Sequence, residues 1–165
     1  MTNCKQIPLP RVEDVDLHKL DFFFKLGNHL FESRYAHHAW KSFDLLTNYR
    51  VSPMMKHFPF IVKWLDMCEK HTGFKSIKNC YLSVVLPKNQ IPWHVDLQNK
   101  DTFSPAAITS LVTGDSFIEF EDDKKYTYKL GHSYLIKSGN RHRIMNLSNT
   151  NRYTLCVVPE ENPYV

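Results

Sequence analysis

Apolar side chains recur along this chain with two different periods. In the first part, "VDLHKLDFFFKLGNHLFES" places Leu17, Leu20, Phe24 and Phe31 at roughly helical intervals, with Asp14 or Asp16 available to cap the start. The stretch "FPFIVKWLDMCEKHTGF" repeats the pattern with Phe60, Ile61, Trp64, Leu65 and Cys68, and Gly73 stands where a left-handed residue would end the helix. Between them, "HHAWKSFDLLTNY" has no clear helical period and leaves room for a strand.

From Cys80 the period falls to two. The runs "CYLSVVL", "AAITSLVT", "SFIEFED", "KYTYKL", "HSYLIK", "HRIMN" and "RYTLCVV" are short and rich in β-branched or aromatic residues. Turn-like clusters such as "PKNQIP", "TGD", "DDKK", "SGN" and "LSNTN" separate most of them. Short strands at this spacing predict a closed antiparallel sandwich, a jelly roll of about eight strands. Helices first and strands after predict a mainly β fold with N-terminal helices packed on one sheet. Without an internal repeat or low-complexity linker, the chain reads as one domain over 1–165, helical to about 78 and jelly roll over about 79–160.

Composition changes this picture little. A chain of 165 residues can bury a core unaided, and a mild net charge of +4 is compatible with an acidic small molecule or nucleic acid, although Lys and Arg form no dense block and a solvated, slightly basic surface is the simpler reading. Cys4, Cys68, Cys80 and Cys156 form no C-x-x-C pair, so a zinc knuckle or redox pair is not indicated. Neither a signal-peptide-like run nor a bilayer-length apolar stretch is present, and a soluble, cytoplasmic protein is expected.

The chemistry gathers around "IPWHVDLQ". In a strand, His94 and Asp96 would share a face. Alone they read as an ordinary polar pair, and His142, between Arg141 and Arg143, competes as part of a solvated basic turn. Together, however, His142 follows Asp96 by 46 residues on a neighbouring predicted strand. Two histidines and one carboxylate on one side of a metal leave positions open for a co-substrate and oxygen, which suits Fe(II). Arg152 lies ten residues after His142, across a tight turn. Strand geometry puts it roughly 7 Å from such a metal, the reach of a five-carbon dicarboxylate. Its guanidinium grips a carboxylate with two parallel hydrogen bonds, and Ser83 is placed to add a third.

His94-x-Asp96, His142 and Arg152 resemble the H-x-D…H…R signature of Fe(II)- and 2-oxoglutarate-dependent oxygenases. The ending "HRIMNLSNTNR" and the spacing from Ser83 to His94 are similar to the aspartyl/asparaginyl β-hydroxylase branch. Two features set the chain apart from β-hydroxylases proper. It carries Asp96 where they lack the metal-binding carboxylate, and "SPAAITSLVTG" where they carry Arg and His. The resemblance implies a double-stranded β-helix and three roles: Fe(II) on His94, Asp96 and His142; 2-oxoglutarate held by Arg152 and Ser83; O2 as oxidant. It further implies hydroxylation of an unactivated C–H bond on an amino-acid side chain, free or protein-borne, or on a small metabolite. Asn146 is expected to brace the turn beside His142, and Trp93 to wall the site. A nucleobase-directed oxygenase and a non-catalytic cupin-like binding module are the competing readings. Substrate recognition is expected from residues 97–105 and from the N-terminal half.

Overall fold

The computed structural model describes residues 3–34, 37–73, 75–96, 104–110, 116–137 and 139–161. Two sheets face each other. The larger contains β1 (Cys4–Gln6), β2 (Glu32–Arg34), β3 (His37–Thr47), β4 (Arg50–Val51), β5 (Lys75–Val85), β7 (Ser104–Ser110), β10 (Ser133–Ile136) and β12 (Arg152–Glu161). Its strand order is β1-β10-β7-β12-β5-β3-β2, with β4 attached to β3. The smaller sheet has the order β6-β11-β8-β9, from β6 (Asn89–His94), β8 (Ser116–Phe120), β9 (Lys125–Thr127) and β11 (His142–Asn146). Every pairing is antiparallel, and the architecture is the expected jelly roll.

Two helices, α1 (Asp14–Gly27) and α2 (Pro59–Thr72), pack on the outer face of the larger sheet. Strand alternation therefore divides the core in two. Cys80, Leu82 and Val84 of β5 and Tyr153, Leu155 and Val157 of β12 meet Leu17, Leu20, Phe24, Ile61 and Trp64 of the helices. Their neighbours Val85 and Cys156 face inward and join Trp40, Ile91, Ile118, Phe120, Tyr128 and Ile144 between the sheets. Trp64 adds a polar tie, its indole nitrogen donating to Ser133 Oγ at 2.9 Å.

The helix ends differ in part from expectation. Glu13 occupies the cap position of α1 without a side-chain hydrogen bond, while Asp14 and Asp16 fall inside the first turn. There they favour the helix dipole and pair with Arg11 and Lys19. Phe31 lies beyond the helix, after a 3-10 turn, yet still packs edge-on against Phe24 at 4.9 Å. Helix α2 ends as predicted, with Gly73 at φ 73°.

All seven predicted runs contain strands, the last residues of "AAITSLVT" lying outside the described residues. Additional strands come from the N-terminal half, where β1, β2, β3 and β4 join the larger sheet, and from the stretch expected to be a turn at "PKNQIP". There only Pro87 and Lys88 turn, with Lys88 at φ 57°, and β6 begins at Asn89. Pro92 is tolerated because β6 is an edge strand, where a missing N–H breaks no internal ladder.

Candidate metal centre

The register of β6 against β11 builds the centre. His94 pairs with His142, but the next aligned pair is Ile91 with Ile144, so three steps on β6 oppose two on β11. This bulge at Pro92 and Trp93 adds one residue and restores parity. Ile91 and His94, an odd number apart, consequently both face the interior. Asp96 arrives differently from the strand expectation. Strand β6 ends at His94, and Asp96 reaches back from a bend, its side chain 44% exposed.

Among the described residues, His94, Asp96 and His142 offer ligand atoms that all lie within 4.8 Å of one another. His94 Nε2 is 3.3 Å from Asp96 Oδ1, and His142 Nε2 is 3.7 Å from Asp96 Oδ2. Each imidazole is oriented by a backbone carbonyl two residues earlier. His94 Nδ1 donates to Pro92 O at 2.7 Å and His142 Nδ1 to Asn140 O at 2.8 Å. A carbonyl only accepts, so Nδ1 carries the hydrogen and Nε2 turns a lone pair toward the centre. Burial works against protonating His94, but the Asp96 hydrogen bond and charge outweigh it and raise its pKa. His142 moves the other way: burial, reinforced by His94, lowers its pKa despite Asp96. Trp40 packs on His94 and Phe120 on His142, each with ring centroids 5.7 Å apart.

Arg152 lies in the same interior, 1% exposed. Its Nε donates to Ser116 Oγ at 2.8 Å and its Nη1 to Thr154 Oγ1 at 2.5 Å, while Nη2 has no partner. Burial pulls its pKa down, and among the described residues no carboxylate pairs with it. A buried cation left like this is costly unless an anion completes it. Ser83 is cross-strand to Thr154 and accepts from Trp40 Nε1 at 3.0 Å, keeping its own hydrogen to donate.

The other two expected residues separate. Asn146, wholly buried, donates to Val85 O, Leu86 O and Thr150 O at 3.0, 3.1 and 2.9 Å and accepts from Ser148. It braces the turn from β11 to β12. Trp93 is turned away from the site, because its neighbour His94 faces inward. It stacks on Arg141 and Arg143 on the outer face of the smaller sheet. Residues 97–103 of the expected recognition segment lie outside the described residues, as do the side chains of 104 and 105. Sequence reasoning passed over Trp40, Ser116, Phe120 and Tyr128. The signal for three of them was present, since period two places Ser116 with Phe120, and Tyr126 with Tyr128, on shared faces.

Residues 16–160 match the aspartyl/asparaginyl beta-hydroxylase family. The chain belongs to that family. No curated protein matches it in sequence. In fold, the family member is similar to a 2OG-Fe(II) oxygenase-family oxidoreductase from Burkholderia pseudomallei (TM-score 0.62, 15% identity, covering 97% of this chain and 85% of that one). It is also similar to the viral collagen prolyl hydroxylase of Paramecium Bursaria Chlorella virus-1 (0.60, 10%, 97% and 97%). A third similar fold is a Pseudomonas putida prolyl-4-hydroxylase (0.57, 12%, 94% and 90%). Membership carries the oxygenase class and its cofactors, Fe(II), 2-oxoglutarate and O2, and two imidazoles with one carboxylate are a fitting donor set for that iron.

Proposed function

We propose that the protein hydroxylates a C–H bond of an amino-acid side chain, free or within a peptide, or of a small metabolite of similar size. The observation that carries this reading is the buried Arg152, with one unsatisfied nitrogen, in the same interior as the His94, Asp96 and His142 set. The two Nε2 atoms and one Asp96 oxygen would hold the iron. Arg152, with Ser83 contributing its hydroxyl, would take the far carboxylate of 2-oxoglutarate. Iron(II) with 2-oxoglutarate and O2 supplies the oxidising power, the co-substrate leaving as succinate and carbon dioxide.

The protein's own contribution is orientation. Pro92 and Asn140 fix both histidine tautomers, and Trp40 and Phe120 pack against the His94 and His142 rings respectively. Asp96, on the exposed bend, marks the flank by which a substrate reaches the centre. An amino-acid substrate is supported by the family's description and by the prolyl hydroxylases that share the fold. A nucleic-acid substrate has less support, because Arg141 and Arg143 on the outer face are neutralised by Glu121 and Glu119.

The test begins with Fe(II) and 2-oxoglutarate added without oxygen, watching for a weak visible charge-transfer band. Air is then admitted with a panel of amino acids and short peptides, and succinate and gain of one oxygen atom are measured. Absence of both band and succinate, with His94→Ala binding iron as well as wild type, sinks the proposal.

A further inference from the structure

Helix α1 is apolar on two opposite faces. Leu17, Leu20 and Phe24 are buried in the core between the helices and the larger sheet. Val15, Phe22 and Leu26, at 63%, 64% and 67% exposure, form a second stripe toward solvent. A helix turns about 100° per residue, which sets these three within about 40° of one another and roughly opposite the buried set. With Lys19 they follow the alternating four- and three-residue spacing of a helix-pairing seam. Lys19 bonds Asp16, which leaves its apolar stem along that seam. Beside the stripe runs a groove of about 430 Å³, where Leu30, Met54 and Phe58 continue the apolar face. One apolar face suffices to seat a helix on a sheet, and a second one marks an interaction surface.

The charges around the stripe select its occupant. Asp14 and Asp16 stand in the first turn of α1 and Lys25 in the last, an order that complements its own reverse. An anionic lipid surface or an acidic peptide would meet those carboxylates as like charges. In two copies of α1 laid antiparallel about a two-fold axis level with Leu20 and Asp21, Val15 of each meets Leu26 of the other, and Phe22 meets the Lys19 stem. Asp14 and Lys25 lie on the same flank of the helix, within about 20° of each other, so each comes alongside its opposite charge in the second copy. Both side chains remain 64% exposed in their ion pairs with Arg11 and Asp21.

We propose that the outer face of α1 is the interface of a symmetric dimer, in which a second copy of this chain packs its own α1 antiparallel across Phe22 and Leu26. The interface lies on the helix layer, away from the candidate metal centre between the sheets.

Sedimentation velocity of the full chain, from about 1 μM to about 1 mM, tests it. Wild type should pass from monomer to dimer within that range. Phe22→Ser and Leu26→Ser should each raise the dimer dissociation constant about tenfold or more. Melting of the dilute variants should stay near wild type, because both side chains face solvent in the monomer. Asp14→Lys and Lys25→Asp should each weaken the dimer severalfold, and the chain carrying both exchanges should recover, which damage to the fold would not mimic. A chain still monomeric at about 1 mM, or a dimer indifferent to Phe22→Ser, overturns the proposal. Failure of the double exchange to restore association overturns the antiparallel arrangement. Binding of the monomer to phosphatidylserine vesicles, lost in Phe22→Ser, assigns the face to a lipid surface and also overturns it.

Discussion

Replacing Asn146 by alanine tests whether the turn carrying Arg152 is held by a single side chain. The amide nitrogen has two hydrogens for three acceptors, Val85 O, Leu86 O and Thr150 O, so one hydrogen is shared between two carbonyls. On its other side, Asn146 Oδ1 accepts from Ser148 N at 3.2 Å and Ser148 Oγ at 2.7 Å. Counting two effective donor bonds and one to two acceptor bonds at about 1 kcal/mol each gives a loss of about 3 to 4 kcal/mol. The residue is wholly buried, so water cannot replace these partners without opening the junction between β5 and β11. Urea unfolding of Asn146→Ala against wild type measures the loss directly, provided the slope with denaturant is unchanged. Ser148→Ala removes only its own share and should cost about 1 kcal/mol. A cost below about 1 kcal/mol for Asn146→Ala would refute the claim that this amide staples the β11–β12 turn.

Three further outcomes follow from the same structure. Gly73→Ala should destabilise the protein by about 1 kcal/mol, because Gly73 ends α2 at φ 73°, and thermal melting checks it. His142→Ala should weaken Fe(II) binding by more than about a hundredfold while the β sheet content seen by circular dichroism stays near wild type. Asp21 accepts from Tyr153; burial opposes its ionisation, but the hydrogen bonds of Lys25 and Tyr153 prevail and lower its pKa below the usual 3.8. A lowered carboxylate pKa stabilises the fold above the unfolded value and is lost as pH falls through the folded one. Asp21→Asn should therefore be less stable than wild type near neutrality, and the gap should close below about pH 3.8; a gap constant down to pH 2 would contradict the pairing.

Alternation made half of the centre legible. It assigned Arg152 and Thr154 to one face of "RYTLCVV" and Tyr153 and Leu155 to the other, and the structure separates them in the same way, between the sandwich interior and the helix layer. The N-terminal half was harder to read. Strand β3 has its inward residues Trp40 and Ser42 buried but carries exposed polar positions on both sides, so its hydrophobic pattern is too diluted to show a period. Strand β1 is three residues long and is held by pairing with β10, a tertiary contact that no local pattern records.

The candidate metal centre depends on two breaks in the pattern. Without the bulge at Pro92 and Trp93, an unbroken β6 that buries Ile91 would bury Trp93 and send His94 outward. The motif His94-x-Asp96 suggests a shared strand face, yet the strand stops at His94 and the carboxylate folds back from a bend. Bulge and bend together bring His94 opposite His142 and close Asp96 over both. The residue types were readable in order and spacing because the iron chemistry proposed for the site calls for two imidazoles and a carboxylate. Their geometry was not, because it rests on irregularities that β6 can accommodate only as an edge strand, where an extra residue and a proline interrupt no second partner.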